Sequence, residues 1–295
     1  MELERASVIT NLQYDRIRSV QAAGNFHKAI WLLRHRMSGK LAMRKEFTPD
    51  DVRSGFAARE INHLRRLRLC QNICTYREHE LNIASGTGAV VMDVYEYGDL
   101  WGLLERHIAQ ALMFPEAFIW HVFKSLAAAL LHMQRGNPPV SHTNFDWIVH
   151  VDLYPRNIFL GLPTSHHPSW PRVVIGDFGS SVSRTQSTPN FELRQQPDFR
   201  PPEQCFPRSD VYQLGLVIVA LCRLTTQPKH SLGFFPTFQK PAGEMYSEGL
   251  NNVLRKCLEV NYAARIHTLG LVQTIHRNFL GGGSMHQLLI GERVY

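Results

Sequence analysis

Five polar residues of this 295-residue chain have types and spacings that could perform chemistry. Asp152 and Asn157 lie close together, and Asp177 follows twenty residues after Asn157, while Lys45 and Glu60 lie far upstream. Carboxylate and amide oxygens suit a hard cation such as Mg²⁺, and an ammonium group can bind an anion. A lone Lys or Glu is usually a solvated charge, and any one of the five residues is weak evidence by itself, so only their order and setting can support a prediction.

The sequence around these residues resembles the motifs of protein kinases. His150–Asn157 reads HVDLYPRN and resembles the catalytic loop H-R-D-L-x-x-x-N, and Asp177–Gly179 matches D-F-G. Lys45 lies in LAMRKE, a strand-like context similar to that of the V-A-I-K lysine. Together, their order and spacing are typical of a kinase domain.

Three further segments resemble structural motifs of the same superfamily. Pro201–Glu203 stands where A-P-E is expected, and Asp210–Gly215 reads DVYQLG, similar to D-V-W-S-L-G. Arg265 resembles the late arginine that pairs with the A-P-E glutamate. The resemblance therefore predicts a buried Glu203–Arg265 ion pair.

Within the superfamily the chain looks most like the NIMA-related Ser/Thr protein kinases, on four short segments. These are Arg44–Glu46, Tyr76–Glu80, Asn157–Gly161 and Lys256–Asn261. The resemblance covers roughly residues 12–279. It implies an α+β fold with a small β-rich lobe, residues 1–97, a larger helical lobe, residues 98–280, and a nucleotide cleft between them. Residues 281–295, which begin with three glycines, are predicted to form a flexible tail.

The resemblance implies a role for each of the five polar residues. Lys45 would bind the α- and β-phosphates of ATP, and Glu60 would hold Lys45. Asn157 and Asp177 would hold Mg²⁺, and Asp152 would be the base near the incoming hydroxyl. Phosphoryl transfer depends on charge neutralisation and alignment, which these residue types supply.

Further ATP-binding residues are implied in the first part of the chain. Gly24 and Phe26 would lie at the tip of the glycine-rich loop, Met92 would be the gatekeeper, and Asp93 to Tyr95 would form the hinge whose backbone meets adenine. The loop segment QAAGNFHKA keeps only one of the usual three glycines. An ordinary hairpin turn is therefore the alternative interpretation of this segment.

Three substitutions depart from the family pattern. Val151 replaces the arginine of H-R-D, which argues against switching by an activation-segment phosphate. Tyr154 replaces a lysine that normally faces the γ-phosphate, and Gln196 replaces a threonine. Arg156 stands where tyrosine kinases carry an arginine, so it either supplies the missing cation or is a solvated loop residue.

Hydrophobic periodicity predicts the elements of the first part. Residues 21–36 and 39–47 read as strand, turn and strand, and residues 89–97 read as another strand. Between them, apolar residues recur at helical spacing from residue 50 to residue 69, so Glu60 is placed on a helix.

The second part is predicted to be helical. One helix begins at Pro115-Glu116, where proline is tolerated and the acid suits the helix dipole, and ends at Gly136. A strongly apolar helix covers residues 209–224, with Asp210 in its first turn.

Composition restricts the partners and the compartment. The formal charge of +7 arises from scattered basic residues, and Arg65, Arg66 and Arg68 alternate with leucines as on the solvated face of an amphipathic helix. We therefore expect no nucleic-acid partner. The longest apolar run has nine residues, too short for a membrane span, and we see no secretory signal. Five scattered cysteines indicate reduced thiols and a cytoplasmic or nuclear protein.

The resemblance predicts a Mg-ATP-dependent protein kinase that phosphorylates Ser or Thr in a protein substrate. A pseudokinase that binds a partner, with weak or no catalysis, is the alternative that the substitutions favour. A small-molecule kinase of the aminoglycoside type is a third hypothesis, against which the D-F-G, P-P-E and late-arginine set argues. The sequence leaves the oligomeric state open.

Overall fold

A computed structural model describes residues 13–20, 29–136, 145–165, 168–186, 195–203, 206–233, 239–278, 287–291 and 293. The chain divides into two compact units. The first runs to Val94 and also takes in Asp177–Gly179, and the second comprises Tyr95–Gly176 and the chain from Ser180 onwards.

The first unit is built on a five-stranded antiparallel sheet with the order β1-β2-β3-β5-β4. Its strands are β1 (Tyr14–Val20), β2 (Ala29–His35), β3 (Leu41–Glu46), β4 (Tyr76–Asn82) and β5 (Thr87–Asp93). The predicted strands at residues 39–47 and 89–97 are confirmed as β3 and β5. Strand β3 is shorter than predicted at both ends, whereas β5 begins earlier, at Thr87, and ends earlier, at Asp93. The region predicted to be a strand from residue 21 is described only from Ala29 onwards, where β2 begins.

Two helices, not one, occupy the segment predicted as a single helix over residues 50–69. They are α1 (Pro49–Arg53) and α2 (Phe56–Leu67). The side chain of Thr48 caps α1 by accepting from the backbone N–H of Asp51. The chain then turns through Gly55, whose φ of 84° is left-handed and favours glycine. This turn separates α1 from α2. The spacing of apolar residues alone did not reveal the break between the two helices.

The described residues of the second unit form six α-helices. They are α3 (Leu100–Ala109), α4 (Glu116–Arg135), α5 (Pro207–Cys222), α6 (Pro228–Leu232), α7 (Glu248–Cys257) and α8 (Thr268–Asn278). Two small antiparallel pairs accompany them, β6 (Ile148–Val149) with β9 (Val182–Ser183), and β7 (Ile158–Gly161) with β8 (Arg172–Ile175). The predicted α+β class is confirmed.

Helices α4 and α5 form the centre of this unit. Six apolar residues at helical spacing on α4 are buried, namely Phe118, Ile119, Val122, Phe123, Leu126 and Leu130. The helix ends as predicted at Gly136. Helix α5 is buried along most of its length and approaches α7 closely, since a methyl group at Gly215 would lie only 3.0 Å from Cβ of Cys257. Within the described ranges, no helix combines the length and the apolar character needed to cross a membrane.

The predicted ion pair of the second unit is also confirmed. Arg265 Nη1 lies 2.5 Å from Glu203 Oε1, and Nη2 lies 2.8 Å from Oε2. The Arg265 side chain is fully buried, and Ser209 donates a further hydrogen bond to Glu203. Burial alone would raise the pKa of Glu203, but the bonds from Arg265 and Ser209 outweigh it and lower the pKa. Glu203 is therefore held ionised where the chain enters α5.

Residues 287–291 pack against α3 of the same unit. Arg106 Nε donates to the carbonyl of Leu289 at 2.6 Å, and the Leu289 N–H donates to His107 Nε2 at 3.0 Å. Nδ1 of His107 lies 2.8 Å from the Leu112 carbonyl, so His107 is neutral with its proton on Nδ1.

Candidate active site

A lysine with two carboxylates forms the polar centre of the first unit. Lys45 Nζ, on β3, lies 2.9 Å and 3.0 Å from the two oxygens of Glu60 on α2. It also lies 2.7 Å from Oδ1 of Asp177. The side chains of Lys45 and Glu60 are 7% and 3% exposed, whereas that of Asp177 is 42% exposed. Buried Glu60 thus fixes the lysine from inside the unit, whereas the carboxylate of Asp177 is partly exposed to solvent.

The charges around Lys45 keep it protonated. Burial alone would lower the pKa of Lys45, but Asp177 and Glu60 outweigh this effect and raise the pKa above its ordinary value. The ammonium group is consequently available to bind an anion at any physiological pH.

The backbone beside Asp177 is closely packed against this cluster. A methyl group at Gly179 would lie 3.2 Å from Asp177 Oδ1 and 3.3 Å from Glu60 Oε2, so glycine provides the space that the two carboxylates need. Asp177 itself has a left-handed φ of 55°, an uncommon conformation for a residue other than glycine. Arg59 Nη2 donates to the Gly179 carbonyl at 3.3 Å and so ties this turn to α2.

In the second unit, Asp152 and Asn157 belong to one hydrogen-bonded loop. Asn157 Nδ2 donates to the backbone carbonyl of Asp152 at 2.8 Å and to its Oδ2 at 3.2 Å. The other carboxylate oxygen, Oδ1, accepts from the backbone N–H of Gln196 at 2.9 Å. Gln196, which replaces a threonine of the family pattern, therefore reaches Asp152 through its main chain, a contact that the sequence did not reveal.

Asp210 holds the loop from beneath, at the start of α5. Its carboxylate accepts from the N–H groups of His150, at 2.7 Å, and Val151, at 3.1 Å. Burial raises the pKa of Asp210 to about 7, against the opposing effect of these two hydrogen bonds. His150 Nε2 lies 2.9 Å from the Gly176 carbonyl, so the loop is also joined to the segment that follows β8.

Val151, at the position of the H-R-D arginine, is part of an apolar cluster with Val149, Val182 and Trp147. Its φ of 76° is left-handed, which is an outlier for a β-branched side chain. The Val151 side chain therefore packs on apolar groups, and it cannot itself bind a phosphate.

Tyr154 and Arg156 lie among aromatic side chains. The Tyr154 ring is 6.4 Å from that of Trp101 and 5.9 Å from that of Phe199. The Arg156 guanidinium carbon lies 4.7 Å from the centre of the Trp101 ring, a cation–π contact. Arg156 thus packs on Trp101 and is partly buried.

The remaining sequence-predicted ATP-binding residues are distributed over both units. Gly24 and Phe26 lie outside the described residues. Met92 pairs with Met43 across β3 and β5, and the Asp93 carboxylate accepts from Arg77 Nε at 2.6 Å. In the second unit Tyr95 is 8% exposed, and its ring stacks on Phe159 with centroids 6.0 Å apart.

The donor atoms of Asp177 and Asn157 fit a magnesium ion chemically. Asp177 offers a partly exposed carboxylate, and the contacts of Asn157 Nδ2 with Asp152 leave the amide oxygen as the atom that can bind a cation. Oxygen ligands of this kind are those that Mg²⁺ prefers. Asp177 belongs to the first unit and Asn157 to the second, and each residue offers an oxygen atom that can bind Mg²⁺.

The fold and these motifs define a protein kinase domain, and the sequence matches that family over residues 23–279. The chain belongs to the protein kinase domain family.

Its relatives include several NIMA-related kinases, which confirms the resemblance stated from the sequence. The G2-specific protein kinase fin1 of Schizosaccharomyces pombe is 27% identical over 276 residues, covering 85% of this chain and 37% of the relative. The serine/threonine-protein kinase Nek2 of Mus musculus is 27% identical over 77% of this chain and 52% of its own length. The G2-specific protein kinase nimA of Emericella nidulans is 28% identical over 73% and 34%. The chain thus spans about a third to a half of the length of these relatives.

Proposed function

We propose that this chain is a Mg-ATP-dependent kinase that transfers the γ-phosphate to a Ser or Thr hydroxyl of a protein substrate. The observation that carries the proposal is the orientation of Asp152, whose carboxylate is hydrogen-bonded by Asn157 and by the Gln196 N–H although Tyr154 replaces the usual lysine. A carboxylate held in this way has a defined direction in which to accept a proton.

Each side chain has a distinct part in the proposed reaction. Lys45, kept charged by Glu60 and Asp177, would bind phosphate oxygens of ATP. Asp177 and Asn157 would hold Mg²⁺, which neutralises charge on the phosphates when it is bound. Asp152 would accept the proton of the hydroxyl whose oxygen bonds to the γ-phosphorus, while the bond from that phosphorus to the β,γ-bridging oxygen breaks and ADP leaves.

Arg156 is proposed as the cation that replaces the missing lysine. Its guanidinium group keeps its N–H donors while its face packs on Trp101. Preorganised donors stabilise charge that develops on the transferring group better than mobile ones do.

The proposed nucleotide-binding set also includes Gly24, Phe26, Met92, Asp93 and Tyr95. The proposed partner is a protein substrate, with no nucleic acid and no membrane, and the proposed location is the cytoplasm or the nucleus. The scattered distribution of basic residues supports the absence of a nucleic-acid partner.

A pseudokinase is the second candidate function. The observation that favours it is the apolar and aromatic surroundings of Val151 and Tyr154, where the family pattern has two cations. In that case the chain would bind a protein partner, with or without nucleotide.

Transfer of label from γ-labelled ATP to the chain itself, and to a generic protein acceptor, tests the two candidates. The parent is compared with Asp152→Asn and with Asp50→Asn, which changes an exposed carboxylate of α1. A kinase requires label in the parent and in Asp50→Asn but not in Asp152→Asn. Equal, background-level label in all three would overturn the kinase proposal in favour of the pseudokinase.

A further inference from the structure

Gln213, on helix α5, forms hydrogen bonds on both sides of Asp152. Its Nε2 donates to the carbonyl of Val151 at 2.8 Å, and its Oε1 accepts from the N–H of Leu153 at 3.2 Å. One buried amide therefore spans the residue before Asp152 and the residue after it. Gln213 stands at the serine position of the D-V-W-S-L-G pattern.

A second glutamine reaches the same carbonyl from a different segment. Gln195 Nε2 donates to the Val151 carbonyl at 3.1 Å, so this oxygen accepts from two side-chain amides. The next residue, Gln196, donates its backbone N–H to Asp152. Two consecutive residues of one segment thus bond to two consecutive residues of the loop.

The conformation of Val151 explains why such bonds are needed. A β-branched residue with a φ of 76° tends to relax to a negative φ, and strained residues persist only where their surroundings over-determine them. Relaxation at Val151 would rotate the peptide that joins it to Asp152. The Val151 carbonyl belongs to that peptide, so donors bound to it resist the rotation.

We infer that Gln213 and Gln195 are positioning residues that hold Asp152 in its reactive orientation by fixing the strained Val151 carbonyl. The inference rests on the proposed kinase function. Neither glutamine touches the reacting atoms, so both are expected to affect turnover rather than ATP binding.

Gln195→Met tests the partly exposed donor, because it keeps the side-chain length and removes one hydrogen bond. A single neutral hydrogen bond corresponds to about a fivefold effect, so kcat should fall by about that factor with an unchanged KM for ATP. Gln110→Met, at an exposed position after α3, is the matched control and should behave like the parent. Parent-like kcat in Gln195→Met would overturn the role of Gln195.

Gln213→Glu tests the buried donor through a pH profile. A protonated glutamic acid can donate to Val151 and accept from Leu153, whereas the carboxylate can only accept. Burial favours the protonated form, so kcat relative to the parent should rise as pH falls from about 9 to about 6. A constant ratio across this range, with the variant folded at both ends, would overturn the role of Gln213.

Val151→Gly supplies a test that separates positioning from general destabilisation. Glycine adopts a φ of 76° without strain, so the loss caused by Gln195→Met should shrink to less than about twofold in the Val151→Gly background. An equal loss in both backgrounds would contradict the coupling.

Amide hydrogen exchange over residues 150–154 distinguishes failure of this inference from failure of the proposed function. If the chain transfers no phosphate, Gln195→Met should still accelerate exchange in this loop, whereas Gln110→Met should not. Unchanged exchange in Gln195→Met would overturn the inference whatever the activity of the parent.

Discussion

Lys45 is held by two carboxylates of the first unit, and its replacement should affect both activity and stability. We expect Lys45→Met to reduce phosphate transfer by at least about a hundredfold, because a fixed cation at the phosphates is lost. The melting temperature should also fall, since Glu60 is left buried without its cation. Label transfer and thermal melting measure the two effects.

The double variant Lys45→Met/Glu60→Gln separates the effect on phosphate transfer from the effect on stability. Replacing both members of a buried pair removes the unpaired charge, so the melting temperature should return toward that of the parent while transfer stays low. Transfer by Lys45→Met at the parental rate would remove Lys45 from the proposed mechanism.

Arg156 is expected to act on turnover. Arg156→Ala should lower kcat by about a hundred- to a thousandfold, with little change in the KM for ATP, if its donors meet charge that develops in the transition state. Trp101→Ala removes the ring beneath the guanidinium but keeps the cation, so it should have a smaller effect. Parent-like turnover of Arg156→Ala would show that Arg156 serves only to pack on Trp101.

At the scale of elements, the Glu203–Arg265 pair joins the start of α5 to the loop after α7. Arg265→Ala leaves a partly buried carboxylate unmatched, and we expect a loss of about 3–5 kcal/mol in the free energy of unfolding. Denaturant unfolding measures it, with Arg277→Ala on the exposed face of α8 as the control. A loss no larger than that of the control would contradict a structural role for this pair.

The contact of α3 with residues 287–291 should depend on pH. Burial lowers the pKa of His107, against the hydrogen bond to Leu112 and with a contribution from the charge of Arg106. The unfolded chain takes up a proton near the ordinary value of about 6.5, whereas folded His107 does so only at lower pH. The contribution of His107 to stability is therefore fully present above about pH 6.5 and is lost as pH falls from there through the lower pKa of the folded state.

Exchange of the Leu289 amide, corrected for intrinsic rates, should thus accelerate as pH falls below about 6.5, because its acceptor is His107 Nε2. The ring of Phe114 stacks on His107 at 3.8 Å and does not titrate, and among the described residues Arg106 supplies the charge that acts on the pKa of His107. His107→Phe should abolish the pH step, and a step that persists in this variant would point to another group.

The flexibility predicted for residues 281–295 stays a prediction.

For the whole molecule, Mg-ATP should stabilise the folded chain. At a ligand concentration of a hundred times Kd, the expected gain is about 2.7 kcal/mol, which thermal melting detects. Asp177→Asn removes the carboxylate proposed to hold Mg²⁺, so its shift with ATP should no longer depend on Mg²⁺. If the melting temperature of the parent does not change at any Mg-ATP concentration, a pseudokinase that does not bind nucleotide is the candidate that remains.

Several features of the fold could be predicted from the sequence, because they depend on local patterns. The spacing of apolar residues predicted α4 and α5, and the identity of the motifs predicted which residues meet as Lys45 with Glu60 and as Glu203 with Arg265. In contrast, β1 and β4 were not individually predicted. Both are edge strands of the sheet, and the weak apolar alternation of YDRIRSV and YREHELN becomes a strand only through pairing with a neighbour.

The sequence by itself determined the family and the identity of the candidate reactive groups, since that chemistry requires particular residue types in a particular order. Only the tertiary structure decided how Asp152 is held. The bonds from Gln195 and Gln196 cross 44 positions of sequence, and those of Gln213 cross 60 and 62. No local pattern specifies such contacts, because they exist only after α5 and the segment before it have packed against the loop.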